Sequence, residues 1–378
     1  MAARIDSALP APDSKVQIKA IPKDDSMIRL TLASSLLALL AACGDGQPLF
    51  DENGTDPTDT TDTTDTTEGD GGDIDTDGAT PPLPGTDAPS PDAGIFRYED
   101  RNGNGGGLVT DVSYDAANDT FTVDNLGFDG ANTYQRVDAP LNTLGVTRVF
   151  AADEVVEDTL TGKPVEQIIP YRALYGVSDN QVDGEPRTSF AIVRTGGYSD
   201  YGFGGYVYER NGGVVIPTEG QATFSGQYAG LRVYNNQTGL EYTTGNMSMD
   251  FDFDDFNAND AVKGRVTDRR AINQDGTAVA LRTSDGQLLM PDIGWVIQEG
   301  SSSLNENGEI TSDVFNLRLD PTTGVPVVYE SGTFYGVLAG DATSGDGGEI
   351  VGIITVESDD PRSEGVTVQE TGGAILYR

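Results

Sequence analysis

Asn246-Met247-Ser248-Met249-Asp250-Phe251-Asp252-Phe253-Asp254 alternates strictly, with polar residues at the even positions and apolar residues at the odd ones. Side chains of a β-strand point to opposite faces in turn, so this period sends Met247, Met249, Phe251 and Phe253 into a core and leaves the aspartates in water. Shorter stretches of the same kind flank it. Upstream they are Gly107 to Tyr114, Thr120 to Asp124, Gln167 to Ala173, Ser189 to Arg194, Phe203 to Glu209 and Gln221 to Tyr228. Downstream they are Val262 to Asp268, Ala278 to Arg282, Ile310 to Leu319, Thr333 to Ala339, Glu349 to Val356 and Val366 to Tyr377. Asp275-Gly276, Asp285-Gly286 and Asn307-Gly308 are hairpin signals, because these pairs tolerate the positive φ of type I′ turns. With 48 glycines and 19 prolines in 378 residues, long helices are disfavoured. The expectation is an all-β protein, an antiparallel sandwich or a closed barrel.

The composition excludes much chemistry. No histidine is present, so a Ser-His-Asp triad, an HExxH zinc site and ordinary histidine acid-base work are impossible. The 61 acidic residues outnumber the 23 basic ones, and a net charge of -38 repels nucleic acid and anionic lipid headgroups. Cations, basic proteins or neutral ligands are the partners such a surface admits.

The single cysteine sits at the end of an export signal. Met27-Ile28-Arg29 is followed by the apolar stretch Leu30 to Leu40 and then Ala41-Ala42-Cys43-Gly44. Eleven largely apolar residues are too few to span a hydrocarbon core of about 30 Å, so residues 27–42 read as a signal peptide. Leu40-Ala41-Ala42-Cys43 resembles the bacterial lipobox, in which the cysteine thiol takes a diacylglycerol; the alternative is an ordinary secretory signal cleaved after Ala42. Residues 1–26 read as an upstream start artefact, with Met27 the true start. Lipidation of Cys43 would tie the chain to a membrane, and Gly44 after the cysteine favours the outer membrane, with cell-surface exposure the expected placement. Residues 44–93 hold 14 acids and no lysine or arginine. Unopposed charge and few apolar groups cannot offset the entropy of ordering, so residues 43–93 are expected to form a disordered acidic tether. Beyond it, 43 acidic against 18 basic residues keep the globular part strongly negative.

Three motifs of the second half resemble the transferrin-binding protein B-like β-barrel surface lipoproteins. Gly220-Gln221-Ala222-Thr223-Phe224-Ser225-Gly226-Gln227-Tyr228 is similar to that family's opening barrel strand. Met249 to Phe253, followed by Val262-Lys263-Gly264-Arg265-Val266, resembles its next two strands. Gly332-Thr333-Phe334-Tyr335-Gly336 with Gly348-Glu349-Ile350-Val351-Gly352 resembles a later pair. The resemblance implies a C-terminal eight-stranded antiparallel barrel over residues 218–378, and eight of the stretches above fall there, as a barrel filled by side chains requires. It also implies a smaller handle-like β region over 94–217. In that region Tyr198, Tyr201, Phe203, Tyr206 and Tyr208 read as strand core rather than ligand contacts. Family membership would imply a non-catalytic binding module that captures an extracellular protein or an iron-carrying ligand and passes it to an outer-membrane receptor, with loops carrying the contacts.

Candidate chemistry is sparse. Asp100-Arg101-Asn102-Gly103-Asn104-Gly105 with Asp111 at the twelfth position has the spacing of a calcium loop, making Asp100, Asn102, Asn104 and Asp111 candidate ligands. Gly107 at the eighth position and the lack of helical flanks favour a glycine-rich surface turn instead. Asp250, Asp252, Asp254 and Asp255 could form the carboxylate pair of a glycosidase, but three of them alternate on one solvated strand face. Gly103 to Gly107 is followed by no lysine and is not a phosphate loop. No enzyme is expected and no cofactor beyond the candidate calcium. The alternative function is a structural or adhesive envelope lipoprotein with calcium-dependent association.

Overall fold

A computed structural model describes residues 83–378 except 102, 104, 125, 128, 159, 168, 198–199, 254–261, 285, 287, 298–303, 321 and 345–346. The signal peptide, Cys43, most of the acidic tether, Asn102, Asn104, Tyr198, Asp254 and Asp255 lie outside the described residues. Among the described residues every regular element is a β-strand.

The first sheet contains β1 (Ile95–Tyr98), β2 (Val112–Asp115), β3 (Thr120–Val123), β4 (Thr133–Arg136), β5 (Thr147–Ala151), β6 (Arg172–Val177), β7 (Thr188–Arg194) and β8 (Gly204–Arg210). Its order is β1-β8-β7-β6-β5-β4-β3-β2, a meander whose first strand returns to pair with the last, and Thr143–Leu144 adds a short pairing to β5. The sheet curls into a half-barrel around Phe121, Val123, Tyr134, Phe150, Ala191 and Val193. β7 lies between two neighbours and is buried along its whole length. Its even-numbered Phe190 and Ile192 face the other way, into a second core.

That second core is shared with a barrel. β9 (Gln221–Asn235), β10 (Leu240–Asp252), β11 (Val262–Asn273), β12 (Ile293–Ile297), β13 (Glu309–Leu319), β14 (Pro326–Asp341), β15 (Gly348–Asp359) and β16 (Thr367–Tyr377) follow one another round an antiparallel cylinder. β16 closes it by pairing with β9, from Ser225↔Tyr377 to Asn235↔Thr367. Met247, Met249, Phe251 and Phe253 enter the lumen with Phe224, Trp295, Phe334 and Leu376, as the period of two requires. The fourth barrel strand is Ile293–Ile297, which corrects the expectation of a strand at Ala278 to Arg282. That stretch makes only the isolated bridges Ile272↔Ala278 and Arg282↔Leu288. Trp295 stacks on Phe334 with centroids 5.1 Å apart, and a Cβ on Gly264 would lie 1.9 Å from the indole.

Leu174, Phe190, Ile192, Tyr206 and Tyr208 of the first sheet pack on Leu231, Val233, Val337, Val351 and Ile353 on the barrel's outer wall. Tyr201 belongs to the same core, so these aromatics are packing residues. Polar pins flank the apolar contact. Arg194 donates to both oxygens of the Glu99 carboxylate at 2.9 and 3.0 Å and to the Thr371 hydroxyl at 3.2 Å. Glu349 accepts from Ser178, Asn180 and Thr188. Arg210 donates to the carbonyls of Gly212 two residues on, of Ser90 and Ala93 in one turn, and of Asn307 and Leu338 on the barrel. Burial lowers the Arg210 pKa, since no carboxylate touches it.

Candidate binding surface

β13 and β14 form a hairpin on a wall of the barrel, and its outer face is apolar. Phe315, Leu317 and Leu319 alternate outward on β13, Val328 faces outward opposite Leu317, and Val325 follows the turn. Val296, on neighbouring β12, continues the face; these six side chains are 46–65% exposed. The cause lies on the inner side. The register shifts between Phe315 and Leu317, from Phe315↔Ser331 to Leu317↔Val328, so β14 carries one extra residue and both Tyr329 and Glu330 turn inward. Inside, Asn316 pairs with that glutamate, its side-chain oxygen accepting from the Glu330 N–H at 2.9 Å and its amide donating to the Glu330 carboxylate. Satisfying Glu330 with Asn316 fixes the odd residues of this half of β13 on the outside.

The tip is held by Asp320. Its carboxylate accepts the backbone N–H groups of Thr322 and Thr323 at 2.8 Å each, and its carbonyl accepts from Gly324 at 2.8 Å. The Thr323 and Thr322 amides hold the Asp320 pKa below its ordinary value. Charges border the apolar face rather than interrupt it. Asp313 lies two residues before Phe315 on the exposed side, and Lys263 is paired across from Val296. Among the described residues, no apolar residue of the seam with the first sheet comes from β12 or β13; β13 meets that sheet at its first residue, Glu309, which accepts from Arg97 of β1 at 2.6 Å. Isolated exposed apolar residues such as Leu160 and Val146 are ordinary, whereas this set is contiguous across adjoining strands.

A second concavity, about 290 Å³ and open to solvent, lies where the loop after β7 meets the β9–β10 turn. Gly196, Gly197, Asp200 and Asn235–Thr238 line it, and the Gly239 N–H donates to the Gly196 carbonyl at 2.8 Å beside it. Its volume is at the lower limit of small-molecule sites, and polar groups dominate its lining.

Of the four calcium-loop candidates, Asn102 and Asn104 lie outside the described residues. Asp100 is exposed and its carboxylate accepts the N–H of Arg101 at 2.8 Å. Asp111 is likewise exposed and bonded to the N–H of Val112 at 2.9 Å. Among the described residues no group of three or more acidic or cysteine side chains is placed to hold a metal. Asp250 and Asp252 accept from Thr223 and Gln221 on the facing strand, at 2.7 and 2.6 Å, which makes them cross-strand partners on the barrel exterior. The apolar face of β12–β14 escaped the sequence analysis. Its signal was the run Phe315-Asn316-Leu317-Arg318-Leu319, whose alternation is plain but whose buried side is not.

No protein-family model matches the chain, and no curated protein matches it. Solved structures do. A double mutant of the vaccine antigen transferrin binding protein B from Haemophilus parasuis matches with a TM-score of 0.33 and 12% identity, over 71% of this chain and 45% of that one. A single mutant of the same antigen gives 0.32 and 13%, over 71% and 45%. Intact Ap-TbpB, with its N and C lobes, gives 0.32 and 13%, over 71% and 46%. This chain spans less than half the length of the solved proteins it matches.

Proposed function

We propose that this protein is a non-catalytic binding module of the outer envelope, anchored through a lipid on Cys43, that engages an extracellular protein by the apolar face of β12–β14. The observation carrying this reading is the exposed set Val296, Phe315, Leu317, Leu319, Val325 and Val328, none of which belongs to the apolar seam with the first sheet. An interface built on it combines an apolar centre with a charged border, the usual anatomy of a protein contact. The overall charge of -38 selects a partner with a basic rim around its own apolar patch. The motif resemblance adds iron-carrying proteins as the first class to try, and an outer-membrane receptor as the recipient.

The test measures binding of the full chain to a panel of iron-carrying and basic extracellular proteins. A Phe315→Ser, Leu317→Ser, Leu319→Ser variant should lose at least tenfold in affinity while keeping its melting temperature, because exposed positions contribute little to stability. Unchanged binding by the folded variant would remove this face from the reading. Protease shaving of intact cells, with Cys43→Ala as control, tests the anchor. Persistence of the shaved domain until cells are permeabilised would place the binding inside the envelope. Repeating the assay in millimolar calcium tests the adhesive alternative, which requires calcium-dependent self-association.

A further inference from the structure

Seven charged side chains run along the barrel lumen and its rim with alternating sign: Glu330, Arg269, Glu370, Arg232, Glu241, Arg362 and Asp360. Four of the links are direct. Arg269 donates to Glu330 at 2.5 Å and to Glu370 at 2.8 Å, and Arg362 donates to Glu241 at 2.7 Å and to Asp360 at 2.9 Å. Glu370 is further bonded by the Tyr228 hydroxyl at 2.8 Å. The ladder is interrupted at its middle cation. Arg232 is fully buried, its Nε stands 3.9 Å from Glu370, and none of its three guanidinium nitrogens has a hydrogen-bond partner among the described residues. Oε2 of Glu241 meets no donor at full hydrogen-bond geometry among the described residues, with the Tyr234 hydroxyl, which accepts from Arg362 at 2.7 Å, the donor beside that carboxylate.

The register puts these groups side by side. Arg232 of β9 lies directly across from Glu241 of β10 and from Glu370 of β16, all on the inward face. Two carboxylates therefore flank a guanidinium that bonds neither. A buried guanidinium with no hydrogen bonds is costly, because ion pairing at this separation does not replace lost hydration. What completes the site must accept from Arg232 and donate to Glu241. An anion satisfies only the first demand and is repelled by Glu370, Glu241 and Glu330. A metal cation satisfies only the second and is repelled by three arginines. Water meets both, and a buried water typically makes about three hydrogen bonds.

We propose that the lumen beside Arg232 is a built site for buried water, with at least one molecule bridging the guanidinium to Oε2 of Glu241 and to Glu370. The barrel is then dry at the end filled by Phe224, Phe251, Trp295 and Phe334, and hydrated at the end filled by the charged ladder.

The first test is a crystal structure of the full chain from crystals soaked in bromide. Oxygen density about 2.7–3.2 Å from the Arg232 nitrogens and from Glu241, without anomalous signal, is the expected result. A bromide peak there, or a guanidinium bonded directly to Glu241 and Glu370 in a dry lumen, overturns the proposal. The second is magnetic relaxation dispersion of water in solutions of the full chain. Arg232→Met should lose the contribution of long-lived internal water, and a dispersion unchanged in the folded variant also overturns it. Trp295 fluorescence reports whether that variant has folded, and the crystallographic arm stands if it has not.

Discussion

Gly264 is fixed by a ring 31 positions away. With the Trp295 indole 1.9 Å from where its Cβ would lie, Gly264→Ala must push the ring off Phe334. Overpacking of this kind costs about 1–3 kcal/mol, and because Trp295 is the only tryptophan its fluorescence follows the loss directly in a denaturant titration. Buried phenols supply a second prediction at this scale. Burial, followed by the charge of Glu209, pushes Tyr175 up to about 12, and burial likewise raises Tyr114, Tyr134, Tyr206, Tyr208 and Tyr228. An unfolded tyrosine ionises near pH 10, so between about 10 and 12 the unfolded chain holds fewer protons than the native one and stability falls as pH rises. Absorbance at 295 nm should show tyrosine ionisation in step with unfolding; full titration near pH 10 in a chain still folded by circular dichroism would contradict the burial of these rings. The sequence reveals residues of this scale unevenly. Met247 to Phe253 are legible because a period of two needs no partner to be read. Gly264 is not, since its reason lies on a strand that carries little signal of its own.

β12 is that strand. It has five residues with Gly294 at its second position, follows Pro291-Asp292, and shares a single paired position, Gly294↔Phe315, with β13. Ala278 to Arg282 displays a better local pattern yet only buttresses β11, with Leu289 and Met290 packed on Ala271. Local propensity yields here to the need to close a cylinder. The β13–β14 hairpin shows the same limit in another form. Its alternation is legible, but the bulge at Tyr329-Glu330 decides which side is wet, and a bulge leaves no periodic trace. The tip makes a prediction of its own. Asp320→Ala removes two hydrogen bonds to turn amides and should loosen the tip locally, as loss of a helix cap loosens a helix end. The Asp320 pKa is lowered in the fold, so its contribution is present above the ordinary carboxyl range and is lost as pH falls through the lowered value. Hydrogen exchange at Thr322, Thr323 and Gly324 should quicken in the variant at neutral pH and match the wild type in acid. Equal protection at neutral pH would remove Asp320 from the tip's support.

At the scale of the molecule, the two sheets are joined by an apolar seam with cationic pins at its margins. Arg210 alone ties Ser90, Ala93, Asn307 and Leu338 together. Arg210→Ala strands the buried Leu338 carbonyl, worth about 1–3 kcal/mol, and releases four half-buried ones that water can reach, so it should lower global stability by at least ~1 kcal/mol. Unfolding followed by Trp295 fluorescence and by tyrosine circular dichroism should move together if the seam couples the sheets. A shift confined to the tyrosine signal would show that the first sheet melts alone. The all-β class was legible at this scale from hairpin signals and alternation, which left sandwich and barrel open, and the barrel was legible only through the motif resemblance. The seam was not, because it joins faces whose residues are far apart in the chain. The binding face was hidden for a related reason, since burial on one side of β13 depends on Glu330 from another strand.

The pairing of β9 with β16 has a consequence in time. Ser225 meets Tyr377, about 150 residues later, so the seal of the cylinder waits for a segment synthesised long after β9. Until that segment arrives, β9 and β15 each present an unpaired edge, and Arg232 and Arg269 lack Glu370. Non-local pairings of this length are slow to form, and open edges invite association with other chains. A nascent chain of this protein therefore passes through a long interval as an open, sticky sheet, and whatever escorts it out of the ribosome must shield two edges rather than a hydrophobic core.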